Sequence, residues 1–168
     1  MSRGFVREED QEEAPFIPPR APLPPNTINY VTPTGMKMLH AEREVLENEF
    51  ANVSISDEQH DRIERTTIQG KLDLLNERIA SARILDPSAQ PQSEVRFGAL
   101  VSYKMLPAPA VHKFRIVGVD EADVAKGKIA FVSPIAVALT GHKKGDIVPF
   151  KLGNETRKVE IIEISYKE

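Results

Sequence analysis

The stretch from Thr34 to Asp86 constrains the fold more than any other, because its apolar residues fall on narrow stripes at helical spacing. On the first arm Leu39, Leu46, Phe50 and Val53 share one face, with polar Glu42 or Arg43 at the heptad position between the leucines. On the second arm Ile68, Leu72, Leu75, Ile79 and Ala82 step by 4, 3, 4 and 3, the spacing of a coiled-coil seam. Between them Val53-Ser54-Ile55-Ser56-Asp57 breaks one helix and caps the next, and Glu58 suits the positive end of that second helix. Seams this narrow bury little alone, so they face each other in an antiparallel helical hairpin. The spacing predicts helices to about Asn52 and from about Asp57 to Ile84, with Thr34 as the first N-cap and Asp86-Pro87 as the stop.

Charge divides the chain into three. Residues 1–29 carry three Arg against five acidic residues, 34–86 seven Lys/Arg against eleven Asp/Glu, and 87–168 twelve against nine. An acidic rod thus stands beside a mildly basic body within a net charge of only -3, a polarity that orients a protein on a charged partner. With no Cys the chain has neither a disulfide framework nor thiolate-bound zinc. No apolar run approaches the roughly 18 residues of a membrane helix, and no signal-peptide core opens the chain. The expectation is a cytoplasmic monomer without a membrane partner.

Residues 1–29 read as an irregular tail. Glu8–Glu13 is an acidic run, and six prolines between Pro15 and Pro25 forbid regular helix. Two readings stand: a solvated tail, or a strap that lies along the body or a partner through Phe5, Phe16, Ile17 and Leu23. After a 30–86 hairpin and an 87–93 linker the pattern turns to strand over 94–168. Strands are predicted at Val95–Met105, His112–Val119, Lys128–Val132, Asp146–Leu152 and Lys158–Tyr166. Ser133–Gly141 reads as a short helix with Ser133 at the N-cap, Pro134 at N1 and Gly141 past its end. The fold class is α+β, a helical hairpin followed by a small, mostly antiparallel sheet carrying one helix.

The run Phe131-Val132-Ser133-Pro134-Ile135-Ala136-Val137-Ala138-Leu139-Thr140-Gly141, followed by Gly145-Asp146, resembles the C-terminal signature of the Gre transcript-cleavage factors of bacterial RNA polymerase. Phe97–Val101, Ile116–Asp123 and Val159–Ile164 fall in that family's order and spacing, and Thr34-Gly35, Leu39, Leu46 and Ile79–Ile84 match its hairpin base. The resemblance covers roughly residues 30–166. It implies an FKBP-like C-terminal domain that docks on the polymerase through Ser133, Pro134, Ile135 and Ala136. It also implies a hairpin that enters the secondary channel, with only indirect contact to nascent RNA and DNA.

The family mechanism gives the acidic hairpin a task. RNA hydrolysis in a backtracked complex needs a second metal and an aligned water, and carboxylates at a tip can serve both. The expected cofactors are therefore none of the chain's own, and Mg²⁺ only as shared with the polymerase active site. Bond-breaking chemistry would remain the polymerase's, so the chain is not an enzyme alone. The tip departs from the family's G-D-L-x-E-N-A-E-Y-like motif, reading Val53-Ser54-Ile55-Ser56-Asp57-Glu58-Gln59-His60-Asp61-Arg62. The arms are shorter by about a dozen residues in all, which removes roughly 10 Å of reach. Asp57, Glu58 and Asp61 are either a substitute catalytic set or helix-start acids that satisfy the dipole. Three hypotheses follow: a channel occupant, a cleavage factor with an altered tip, and a non-cleaving Rnk-like regulator.

Other sites are weak by sequence. His40, His60, His112 and His142 lack metal-ligand spacing, and no phosphate loop or Ser–His–Asp set is present. Lys126, Lys128, Lys143 and Lys144 read as a basic patch or as solvated surface.

Overall fold

A computed structural model describes residues 14–54 and 59–168; Phe5, Glu8–Glu13, Ile55, Asp57 and Glu58 lie outside the described residues. Helix α1 (Pro33–Asn52) and helix α2 (Gln59–Ser81) form the hairpin. Leu39, Leu46 and Val53 meet Ile68, Leu72 and Leu75 in one buried cluster, with Phe50 and Ile79 at its margin. The seam is therefore built from the residues that the 4-3 spacing selects.

Where α1 begins differs from the sequence reading. Thr32, not Thr34, is the N-cap: its hydroxyl oxygen accepts from the Gly35 N–H at 2.9 Å, and Pro33 takes N1. The Thr32 hydroxyl in turn donates to Glu121 in the following domain, and both residues are buried. Glu121 also accepts from Lys128 Nζ at 3.4 Å. One threonine thus caps the hairpin and ties it to the body. Thr32→Ala should lower stability by about 2 kcal/mol, through loss of the cap and of a buried carboxylate's donor. Thr32→Ser, which keeps both bonds, should restore the denaturant midpoint.

The hairpin's root is also closed by backbone. Strand β1 (Asn29–Val31) pairs in parallel with strand β2 (Ala82–Ile84), in register Asn29 with Ala82 and Val31 with Ile84. Period alone carries the second helix to Ile84; the chain leaves helix at Ser81 because residues 82–84 find this partner strand. Buried Asn29 donates from Nδ2 to the Arg78 carbonyl at 3.0 Å, satisfying a carbonyl in α2's last turn.

The second domain is a five-stranded sheet. Its strands are β3 (Leu100–Leu106), β4 (Val111–Val117), β5 (Lys128–Ala130), β6 (Ile147–Leu152) and β7 (Glu155–Ser165), in the order β5-β4-β3-β7-β6. All neighbours are antiparallel except β4 and β5, which run parallel, so the sheet is mixed. β3 begins at Leu100 rather than Val95, because residues 95–99 cross to other partners: the Val95 N–H reaches the His142 carbonyl and the Gly98 N–H the Ile116 carbonyl. Helix α3 (Pro134–Leu139) closes the core through Ala136 and Leu139, against Val101, Ile116, Val148, Val159 and Ile161.

Hairpin and sheet keep separate buried clusters. Between them Tyr30 of β1 packs against Phe97 and Phe131 at ring separations of 6.0 and 5.7 Å. Gly118 allows the close approach: a Cβ there would lie 2.6 Å from the Tyr30 carbonyl oxygen.

Candidate functional site

The turn before α3 presents the residues expected to dock. Pro134 is exposed, Ile135 is half-buried against the sheet core and Ala136 is wholly buried. Ala136 therefore cannot touch a partner; its methyl seats the helix. Val137, at 62 % exposure, stands outward beside Pro134 instead. Helical period places Val137 opposite the Ala136–Leu139 face. Ser133 holds the N-cap position but its hydroxyl makes no capping bond, and its Oγ is buried without a partner. The motif's end is held from behind. Gly141, at φ +87°, turns the chain and donates to the Val95 carbonyl, while Gly145 donates to the Ile161 carbonyl. The Lys143 N–H reaches the Asp146 carboxylate at 2.8 Å. That bond, with help from His142, holds Asp146 below the usual carboxylate range. The α3 surface is thus a rigid exposed face on a buried footing.

At the hairpin's other end Asp61 stands in the first turn of α2, half-buried. It borders a groove of about 680 Å³ lined by Val45, Asn48, Glu49 and His60 among others. Among the described residues no group of three or more His, Asp or Glu is placed to hold a metal. Along the shaft, Glu44, Glu47 and Glu49 are exposed and make no ion pair among the described residues. Glu42 departs from that row: both its oxygens are taken by Arg20, at 2.8 and 3.0 Å. The basic patch is also smaller than its sequence suggests, since Lys128 pairs with Glu121 and Lys126 lies 4.0 Å from Asp123.

Arg20 belongs to the proline-rich segment, and the strap reading describes residues 17–21. Arg20 Nε donates to Asp120 at 3.0 Å while its other nitrogens hold Glu42. Arg78 of α2 reaches the same Asp120 at 3.3 Å and donates to the Ala21 carbonyl. Hydrogen bonding to Glu42, then the charge of Asp120, raises the Arg20 pKa further, so its charge is permanent. Ile17 sits in a notch on α2, where a Cβ on Gly70 would lie 2.0 Å from its Cδ1. Phe16 remains exposed and Leu23 half-buried. Arg20 and Asp120 are 100 residues apart, and no local pattern announces their pairing.

Comparison with known proteins gives the family of the chain. The family model described as transcription elongation factor, GreA/GreB, C-term matches residues 90–166. The transcription elongation factor GreA of Helicobacter pylori (strain ATCC 700392 / 26695) is 41 % identical over 101 residues, 60 % of this chain and 62 % of that protein. GreA of Thermodesulfovibrio yellowstonii is 38 % identical over 106 residues, 63 % of this chain and 67 % of the relative. The chain belongs to the GreA/GreB family. It spans about 62 % of the length of the Helicobacter GreA proteins it matches. Among solved structures it is similar to the GreA factor homolog 1 (Gfh1) of Thermus thermophilus, at 19 % identity and a TM-score of 0.38 over 82 % of this chain and 99 % of that one. It is also similar to a GreA/GreB factor of Nitrosomonas europaea, at 19 % identity and a TM-score of 0.41 over 84 % and 100 %. Within this GreA/GreB chain, the family match covers the sheet domain and α3; the strap, residues 17–21, precedes it.

Proposed function

We propose that this GreA/GreB-family chain is a transcription elongation factor that binds bacterial RNA polymerase through the exposed face of α3. Its acidic hairpin enters the secondary channel, and the chain regulates or rescues stalled elongation complexes there. The observation that carries this reading is the pairing of an exposed face on one domain with a projecting hairpin whose exposed Glu44, Glu47 and Glu49 make no ion pair among the described residues. An uncompensated acidic shaft suits a basic channel wall, and such attraction is screened by salt. Glu44→Lys with Glu47→Lys should weaken polymerase binding about tenfold at low salt, with the two curves converging toward about 1 M salt. Unchanged affinity at low salt would remove the acidic-shaft argument.

The tip sequence favours a second reading, a non-cleaving Rnk-like regulator, because neither the Asn-Ala nor the Tyr of the family tip motif is present. Any Mg²⁺ would belong to the polymerase site, with at most one or two carboxylates from Asp57, Glu58 and Asp61 joining it. A transcript-cleavage assay on a backtracked complex separates the readings. The chain and its Asp57→Asn, Glu58→Gln, Asp61→Asn variant are compared with binding verified in the same tubes. Shortened transcripts from the unaltered chain alone identify a cleavage factor, and none from either protein identifies a channel occupant.

A further inference from the structure

We propose that residues 17–21 are a clasp that sets the orientation of the hairpin relative to the sheet domain, with Arg20 and Ile17 as its positioning residues. Its consequence for transcription rests on the polymerase reading above; the clasp itself does not. The observations come from three elements at once. Arg20 is held between Glu42 on α1 and Asp120, in the loop that follows β4. Its side chain is 17 % exposed and that of Asp120 is 7 % exposed. Arg78 on α2 completes the set by gripping both Asp120 and the strap's Ala21 carbonyl. Ile17 independently fills the notch left by Gly70.

The chemistry suits a positioning role. A guanidinium offers donors in a fixed planar fork, so two carboxylates on different bodies are held at a defined angle as well as a defined distance. A lysine at this position carries the charge without the fork. The proline content of residues 15–25 stiffens the segment, which reduces the entropy lost when it lies down. The helix gives up propensity at Gly70, where Ala would be favoured, and what stands in the space is Ile17. Each feature costs the chain something locally, and each is explained by the strap lying in place.

The test measures orientation on the full, free chain. It contains no Cys, so Asn48→Cys on the hairpin and Lys151→Cys on β6, both exposed, can carry spin labels for electron–electron distance measurement. The otherwise unaltered chain should give one narrow distance distribution. Arg20→Ala should at least double its width, and Gly70→Leu, which evicts Ile17 while improving helix propensity, should do the same. Arg20→Lys should fall between. Helix content by circular dichroism should be unchanged in all three, which separates loss of orientation from loss of fold. A distribution already broad in the labelled parent, or one equally narrow in Arg20→Ala and Gly70→Leu, overturns the clasp. Polymerase binding through α3 is then measured on the same variants. Absence of binding by the parent chain would overturn the functional reading and leave the distance result standing.

Discussion

Leu75→Ala should melt the hairpin and leave the sheet domain folded. Leu75 is 0 % exposed, at the centre of a buried cluster that also contains Leu39, Leu46, Ile68 and Leu72, and this cluster is separate from the sheet's. Truncation of a fully buried leucine costs about 3 kcal/mol, as lost transfer free energy and a cavity that helices cannot wholly close. Two narrow helical seams carry little surplus, so a loss of about two powers of ten in the folding equilibrium is felt across the whole hairpin. In native-state hydrogen exchange the amides of α1 and α2 should lose about 100-fold protection, while those of β3, β4 and β7 keep theirs. Equal acceleration in both domains would mean that Tyr30 and the Thr32–Glu121 bond couple the two clusters into one cooperative unit.

Pro134→Asp with Val137→Asp should reduce polymerase binding at least 100-fold and leave the fold intact. Both side chains are exposed, so neither carboxylate is forced into the core. An Asp at position 134 also sits favourably at the positive end of α3. Two charges desolvated at the centre of an apolar contact would cost on the order of 3 kcal/mol or more, which corresponds to that loss. The same change at Ile135 would confuse the result, because Ile135 packs on the sheet core. Equilibrium binding measured beside a thermal melt decides the matter. A variant that melts normally and binds normally would move the docking surface away from α3.

The hairpin was legible in sequence because its signal is periodic and local: the 4-3 steps at Ile68, Leu72 and Leu75 select the buried residues directly. The α3 turn was legible for a similar reason, with Pro134 at N1 and Gly141 in the left-handed region just past the end. The true start of α1 was also written in the chain, since Pro33 marks N1 and so points back to Thr32 as the cap. What local pattern does not carry is pairing at a distance. Residues 82–84 become strand only because Asn29–Val31 lies beside them, and the parallel addition of β5 depends on where β4 ends. The buried polar groups at the junction, Asn29, Thr32 and Glu121, read as ordinary turn and surface residues until their partners are seen. Within the α3 turn the sequence run does not separate inward from outward side chains: Ala136 is buried and Val137 exposed.

The parallel β1–β2 ladder has a mechanical consequence. Both arms leave the body from one hydrogen-bonded root, so they cannot splay there, and a push on the far end must bend the helical pair as a whole. α1 has 20 residues, hence a length of about 30 Å. Angular play of about 10° at the root would swing the far end by about 5 Å. Stiffness at the three-residue ladder therefore sets how far the end of the hairpin can wander relative to the sheet domain.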